Sequence, residues 1–300
     1  MNLKVSIFSN AGTVPIEIAN REGFFAQHGL SVDIEPTTSS IQQMTGLIDG
    51  RYHIAATAID NVIAYNCGQG AAPTENRSEL KVFLGSATYT LPLVVAPHIS
   101  TFSDLKGSTI AVDAIDTGFA FLLREMLEMN GLSPETYDFR SIGAPKERWL
   151  ALKSNVADAA LLNAHFEAQA HQQKYKTLLS DPNPWDNYQG NTFCAGREFL
   201  NDGPVEAFTS AMLQSVEFTK NPINATVVAA ALTHHLGDLE PQAALDVANS
   251  LQGKQSILID GLPVSRSGIA TVLHLREKYT STELNLTVED LCDPRTTIAM

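Results

Sequence analysis

The spacing of apolar residues at the start of the chain predicts alternating strands and helices. Short apolar runs at residues 3–8, 30–34 and 53–57 are typical of buried strands. Residues 13–28 and 39–48 carry apolar side chains at helical spacing; Gly29 ends the first stretch, and a Thr-Thr-Ser-Ser cluster opens the second. The pattern predicts a β-α-β-α-β unit.

The same order returns about a hundred residues later. Strands are predicted at residues 109–113, 137–141 and 158–162, and helices at 117–130 and 146–154. Short matches accompany the repeat: residues 28–31 match 130–133, and 53–56 match 158–161, at offsets of 102 and 105 residues. We interpret the repeat as two similar lobes. The alternative is that any two α/β segments share this pattern.

The predicted fold class is α/β, a two-lobed clamshell in which each lobe is an open, mainly parallel sheet flanked by helices. Apolar runs at 91–96 and 191–195 predict two hinge crossings, near 91–96 and 190–195. Lobe 1 is then residues 1–92 plus 195–300, and lobe 2 is residues 93–194. The tail after residue 201 is mainly helical and is expected to pack on lobe 1. Ligands of such sheets bind at the carboxyl ends of the strands.

Composition narrows the class of partner. The chain has 20 Lys and Arg against 33 Asp and Glu, a formal net charge of −13, which argues against a nucleic-acid partner. No run of 18 apolar residues is present, so we expect no membrane insertion. The N-terminus lacks the pattern of a signal peptide. This indicates a cytoplasmic protein for the chain as given, or a periplasmic one if an export signal was trimmed.

Three polar turns of lobe 1 follow predicted strands and are candidate substrate-binding segments. A helix start there offers unpaired N–H groups to a ligand. The alternative is ordinary helix capping. The candidate residues are Asn10, Gly12, Thr13, Thr38, Ser39, Thr57 and Asp60.

Lobe 2 offers a matching set. Gly118 allows close approach of a ligand to the backbone, and Phe119 is placed to stack on a planar group. The helix starts would favour an anionic ligand. Asp60 and Asp116 would instead favour a cationic or amine-bearing ligand, unless both are N-caps. The candidates are Asp116, Thr117, Gly118, Phe119, Gly143, Asn163 and His165.

Signals for chemistry are few. His165 is the one histidine at a predicted cleft edge. It is a candidate hydrogen-bond partner for the ligand or, if an acidic side chain positions it, a candidate catalytic base. No histidine or cysteine spacing predicts a metal site, and no P-loop, G-x-S-x-G or dinucleotide-binding motif is present, so we expect no metal and no cofactor. The three cysteines give no disulfide framework.

An ordered series of motifs resembles the type 2 periplasmic-binding-protein superfamily, in the branch of aliphatic-sulfonate, nitrate/taurine and thiamine-precursor binding proteins. The motifs are PIEIANREGFF at 15–25, GLSVD at 29–33, GLIDG at 46–50, DLKGSTIAV at 104–112 and NVADAA at 155–160. The resemblance implies hinge closure on a small molecule and, for an exported protein, an ABC permease as partner.

Fold alone does not fix function, so two other classes stay open. Some proteins of this fold are cytoplasmic enzymes, and the first alternative is a decarboxylase or lyase acting on a small, possibly aromatic, acid. The second is a sensor resembling the effector domain of a LysR-type regulator, which ranks last because no DNA-binding segment precedes Leu3.

Overall fold

The predicted repeat is present in the computed structural model, which describes residues 1–73, 78–88, 90–237, 239–253 and 256–299, without the side chains of residues 164 and 165. The strands, labelled in chain order, are β1 (Asn2–Ile7), β2 (Ser31–Pro36), β3 (Ile54–Ala58), β4 (Leu80–Gly85), β5 (Leu93–Val95), β6 (Thr109–Val112), β7 (Asp138–Ser141), β8 (Ala159–Leu161), β9 (Lys176–Leu178), β10 (Asn191–Gly196), β11 (Val264–Ser265) and β12 (Ile298–Ala299). The α-helices are α1 (Val14–Arg21), α2 (Phe24–Gln27), α3 (Ser40–Ile48), α4 (Ile59–Asn66), α5 (Gly118–Met129), α6 (Pro145–Lys153), α7 (Ala164–Gln172), α8 (Arg197–Asp202), α9 (Val205–Lys220), α10 (Ala225–Leu236), α11 (Pro241–Gln252), α12 (Arg266–Thr280) and α13 (Val288–Leu291).

These elements form two units. The first comprises Met1–Tyr89, Gln189–Ala270 and Leu284–Met300, and the second comprises Thr90–Tyr188 and Thr271–Glu283. The division differs from the predicted lobes at the tail, because residues 271–283 belong to the second unit. The ammonium group of Lys278 on α12 binds the carboxylates of Glu125 and Glu128 on α5, at 2.6 and 2.8 Å. The end of α12 therefore belongs to the second unit.

Each unit contains a five-stranded sheet with the same arrangement. The first sheet has the order β2-β1-β3-β10-β4, and the second has the order β7-β6-β8-β5-β9. In the first, β1 pairs in parallel with β2 and β3; in the second, β6 pairs in parallel with β7 and β8. The carboxyl ends of these three strands meet at one edge of each sheet.

The two apolar runs predicted as crossings are strands that run against their neighbours. β10 is antiparallel to β3 and β4, and β5 is antiparallel to β8 and β9. Each lies between two strands and is buried on both faces, which explains its continuous apolar sequence. The sheets are thus open and mixed, with one reversed strand in each.

Aromatic packing fixes the core of the first unit. The ring of Phe208 on α9 lies 5.2 Å from that of Phe25, 5.9 Å from that of Phe83 and 5.7 Å from that of Phe193, measured between centroids. These rings join α2, β4 and β10 to α9, and buried residues of α10 and α11 belong to the same core.

A smaller core lies in the second unit. Trp149 on α6 is buried with Leu152 and Ala160, and its ring meets that of Tyr175 edge-on at 5.1 Å. Of the helices that the structure describes, none is both long and apolar enough to cross a membrane.

Candidate ligand-binding edges of the two sheets

The turn after β1 is held by a capping box. The Asn10 side-chain oxygen accepts from the Gly12 N–H at 2.9 Å, and the Thr13 hydroxyl oxygen accepts from the Asn10 N–H at 3.1 Å. These bonds close a short 3-10 turn over Ala11–Thr13. Asn10 and Thr13 therefore build the turn, and the Gly12 N–H that the sequence suggested for a ligand is used inside it.

A close approach explains Gly12. A Cβ atom at this position would lie 2.6 Å from the Cβ of Ala87, far inside contact distance. Ala87 is itself buried. The glycine is thus required by packing against the segment after β4, independently of any ligand.

The turn after β2 carries one cap and one exposed candidate. The Ser39 hydroxyl accepts from the Gln42 N–H at 3.3 Å and is the N-cap of α3. The Thr38 side chain is exposed. Below them, the fully buried Gln43 donates from Nε2 to the carbonyl oxygens of Ser6 and Ala56, each at 3.1 Å.

The turn after β3 contains a buried acid. Thr57 is buried, and its hydroxyl accepts from the Asn61 amide at 2.9 Å. Asp60 lies in the first turn of α4 and is only 4% exposed. The N-cap of α4 is Ala58, so the capping interpretation of Asp60 is wrong.

His235 is a residue of this edge that sequence reasoning missed. It lies on α10, and its Nε2 is 2.9 Å from the Thr13 hydroxyl oxygen. Burial lowers the pKa of His235 to about 4, although the carboxylate of Glu17 acts in the opposite direction. The ring is therefore neutral near pH 7. The sequence showed only that His235 lies at the end of an apolar helix.

The first turn of the second edge joins Asp113 to Thr117. Asp113 directly follows β6, and its carboxylate accepts from the Thr117 hydroxyl at 2.9 Å. Thr117 in turn caps α5 by accepting from the Ala120 N–H at 3.3 Å. Asp116 is exposed and is not the cap, so the capping interpretation is wrong for this acid as well. Gly118, by contrast, is buried as the first residue of α5.

A buried arginine links the first two turns of this edge. Arg148 on α6 is 3% exposed and donates to the carbonyl oxygen of Gly143, at 3.1 Å, in the turn after β7. Gly143 has φ of +103°, which favours glycine. Burial raises the pKa of Asp113, and the guanidinium of Arg148 opposes that rise. Asp113 and Arg148 were not among the predicted residues because neither belongs to a recognisable motif.

The third turn of this edge begins α7. The Asn163 side-chain oxygen accepts from the Phe166 N–H at 3.2 Å, which makes Asn163 the N-cap. The side chain of His165, the candidate base, lies outside the described residues. Its predicted role stays a prediction.

Phe119 packs within an aromatic cluster of the second unit. Its ring centroid lies 5.9 Å from that of Trp185 and 6.1 Å from that of Tyr188, and the latter two are 5.4 Å apart. Trp185 and Tyr188 are both buried. Part of the Phe119 ring is therefore covered by protein, which limits stacking on a ligand to its remaining surface.

The described side chains form no metal or redox centre of recognisable type. Groups of three or more His, Cys, Asp or Glu side chains suited to one ion do not occur among them. All three cysteines are free. Burial raises the pKa of Cys194 to about 12 and that of Cys292 to about 11, so both are protonated, unreactive thiols at neutral pH.

Solved structures share this architecture. The ligand-binding component of an ABC-type import system from Staphylococcus aureus, with zinc bound, has a TM-score of 0.76 at 16% identity, over 98% of this chain and 97% of that one. The periplasmic aliphatic sulphonate-binding protein SsuA from Escherichia coli has a TM-score of 0.72 at 15% identity, over 100% and 94%. The chain thus has the fold of periplasmic binding proteins, as its motifs predicted.

Sequence comparison points the same way. The chain is 24% identical over 244 residues to the bicarbonate transport ATP-binding protein CmpC of Synechococcus elongatus, a match that covers 75% of this chain. It spans only 36% of the length of that relative. The sequence model described as NMT1/THI5 like matches residues 10–225. The chain therefore belongs to the NMT1/THI5-like family.

Proposed function

We propose that this chain is a solute-binding protein of ABC-importer type that captures a small polar molecule. The observation that carries the proposal is the build of the two sheet edges. Each gathers short polar turns, N-capped helix starts and a carboxylate at the carboxyl ends of parallel strands. Such edges are where open α/β sheets bind ligands. The structural relatives, which bind solutes, support the same class.

The partner would be an ABC permease. The name of the relative CmpC also includes ATP binding, but this chain lacks a P-loop and matches about a third of that protein. We therefore propose only the solute-binding role for this chain, and not the ATP-binding role in the name of CmpC. Fractionation of the source cells with an antibody against the chain tests the location. Recovery with the periplasmic or membrane fraction is expected, and purely cytoplasmic recovery would contradict the importer role.

The charges at the edges favour a ligand with an amine or cationic group. Asp60 on the first edge and Asp116 on the second place carboxylates there, and neither is a cap. The buried guanidinium of Arg148 is bonded to the Gly143 carbonyl and attracted to Asp113, so it is already engaged within the protein. A sulfonate or nitrate would rely on helix N-termini and on the buried guanidinium of Arg276, which donates to the Asp116 carbonyl oxygen at 3.4 Å.

Titration calorimetry and thermal shift with a defined panel test the proposal. Ethanesulfonate, nitrate, bicarbonate, benzoate, ethylamine and 4-aminopyrimidine cover the anionic, amine and aromatic classes. Saturable binding of at least one is expected to raise the melting temperature, because a ligand that binds only the folded state stabilises it. Response to the anions alone would refute the amine preference, and no response to any compound would count against solute binding.

Charge-neutralising variants connect binding to the edges. Asp116→Asn, an exposed position, is expected to weaken amine binding about tenfold without loss of folding stability. Asp49→Asn is the matched control, because Asp49 is also exposed but lies at the C-terminal end of α3 and not at the helix start near the sheet edge. Mass spectrometry of the same mixtures tests the enzyme alternative, since that alternative requires conversion of a bound compound.

A further inference from the structure

The contact between His235 and Thr13 joins two segments 222 residues apart in sequence. His235 is 8% exposed, on the helix α10 of the first unit. Thr13 ends the 3-10 turn that the capping box of Asn10 closes. The contact therefore ties the turn after β1 to a helix outside the sheet.

The neighbours of the Thr13 hydroxyl decide which atom carries the proton. The oxygen accepts from the Asn10 N–H at 3.1 Å, and it lies 3.0 Å from the carbonyl oxygens of both Phe8 and Asn10. The single hydroxyl hydrogen satisfies one of these carbonyls. When His235 donates from Nε2–H to the hydroxyl oxygen, the hydroxyl hydrogen and the ring hydrogen both have acceptors, and this pairing corresponds to the neutral Nε2–H tautomer.

The charged groups around the ring keep it in this form. Glu17 on α1 favours protonation, but it is bonded to Arg21 on α1 and lies 3.1 Å from Nδ1 of His234 on α10. Burial, His234 and Arg21 disfavour protonation of the ring, whereas the interaction with the Asn10 backbone favours it. The ring therefore presents one fixed donor to the turn.

We propose that His235 is a positioning residue for ligand binding, which holds Thr13 and so keeps the Asn10–Thr13 turn in its binding geometry. The effect on ligands rests on the function proposed above. The effect on the turn does not, because it is a property of the unliganded chain. The two can therefore be tested apart.

Amide hydrogen exchange on the full chain tests the turn. The Gly12 and Thr13 N–H groups are bonded to the Asn10 side chain and carbonyl, at 2.9 and 3.1 Å, so their exchange reports its integrity. In His235→Ala we expect both amides to exchange about tenfold faster, as loss of one hydrogen bond predicts. His235→Gln, which retains an N–H donor, should restore most of the protection. His234→Gln, at the neighbouring and more exposed histidine, is the control.

A second measurement uses the unchanged protein. Nitrogen-15 NMR of the histidine rings should show a neutral His235 ring at pH 7, with its hydrogen on Nε2. This arm applies even if His235→Ala does not fold. Unchanged exchange in His235→Ala, an equal effect of His234→Gln, or the opposite tautomer would overturn the proposal.

Ligand affinity then separates the two proposals. For the panel compound with the largest thermal shift, His235→Ala should raise Kd about tenfold, and His235→Gln should bind within a factor of about three of the native chain. If exchange changes as expected but the native chain binds no panel compound, the solute-binding proposal fails and the positioning role of His235 in the turn stands.

Discussion

The side-chain amide of Gln43 donates to the main-chain carbonyl of Ser6, although the two residues lie on different elements, α3 and β1. The same Nε2 also donates to the carbonyl of Ala56 on β3. The amide thus bridges two neighbouring parallel strands near their carboxyl ends. This contact fixes α3, and the turn that begins it, against the sheet.

Replacement of Gln43 should therefore destabilise the first unit. Gln43→Met keeps a similar volume but leaves two buried carbonyl groups without this donor. The Oε1 atom has no hydrogen-bond partner among the described residues, so the loss comes from Nε2. We expect a loss of about 2–4 kcal/mol in the free energy of unfolding, measured by urea titration. Gln42→Met, at an exposed position on the same helix, should change it by less than about 0.5 kcal/mol. Equal effects of the two changes would show that the bridge contributes little.

A methyl group at Gly12 should displace the turn after β1. The added Cβ would lie 2.6 Å from the Cβ of Ala87, so Gly12→Ala is expected to cost about 1–3 kcal/mol in unfolding free energy. Gly196→Ala, where an added Cβ meets nothing within 4 Å, is the control.

The double variant Gly12→Ala with Ala87→Gly identifies the cause, because it removes the opposing methyl group. It should recover part of the stability that Gly12→Ala loses. Strictly additive losses would mean that another contact requires the glycine.

Local sequence signals predicted the elements of the repeat and the polar turns between them, although the two acids considered as caps, Asp60 and Asp116, are not caps. Ser39, Thr117 and Asn163 each follow a strand and precede a helix, and each caps that helix. An apolar run does not encode its direction in a sheet, so the reversal of β5 and β10 was not predictable from composition. The predicted helix over 13–28 is likewise interrupted, because Gly23 adopts a left-handed conformation with φ of +75°.

The residues that the sequence did not reveal act across large separations. His235 reaches a turn 222 residues away, and Lys278 reaches Glu125 over 153 residues. Arg148 lies near the predicted turns in sequence, but nothing in its neighbours shows that its side chain is buried beneath Gly143. Such contacts depend on how elements pack, which periodicity does not specify.

Loss of the buried guanidinium should raise the pKa of Asp113 further. Burial already raises it, and Arg148 is the largest opposing influence. A carboxyl pKa above its unfolded value means that stability falls as pH rises from the unfolded to the folded pKa. In Arg148→Met this fall should extend to higher pH. The unfolding free energy at pH 7 should drop by about 1–3 kcal/mol, since the Gly143 carbonyl also loses its hydrogen bond from Arg148.

Carbon-13 NMR of the Asp113 carboxyl group and urea titrations at several pH values measure both effects. Lys146→Met, at an exposed residue of the same helix, is the matched control. A fall in the pKa of Asp113 in Arg148→Met would contradict the electrostatic link between the two side chains.

The buried histidine should make stability depend on acid pH. The folded pKa of His235 is about 4, below the ordinary value of 6.5, so the unfolded chain binds more protons between these limits. Stability should therefore rise from pH 4 to 6.5 and level off above that range. A shift of this size corresponds to about 3 kcal/mol across the window, as an order of magnitude.

Urea titrations at fixed ionic strength test this dependence. His235→Gln removes the titrating group, so the native chain should lose about that much more unfolding free energy than the variant between pH 7 and pH 4. His234→Gln, the control, should show the same dependence of unfolding free energy on pH as the native chain. Parallel dependences for the native chain and His235→Gln would mean that His235 is not held neutral by burial.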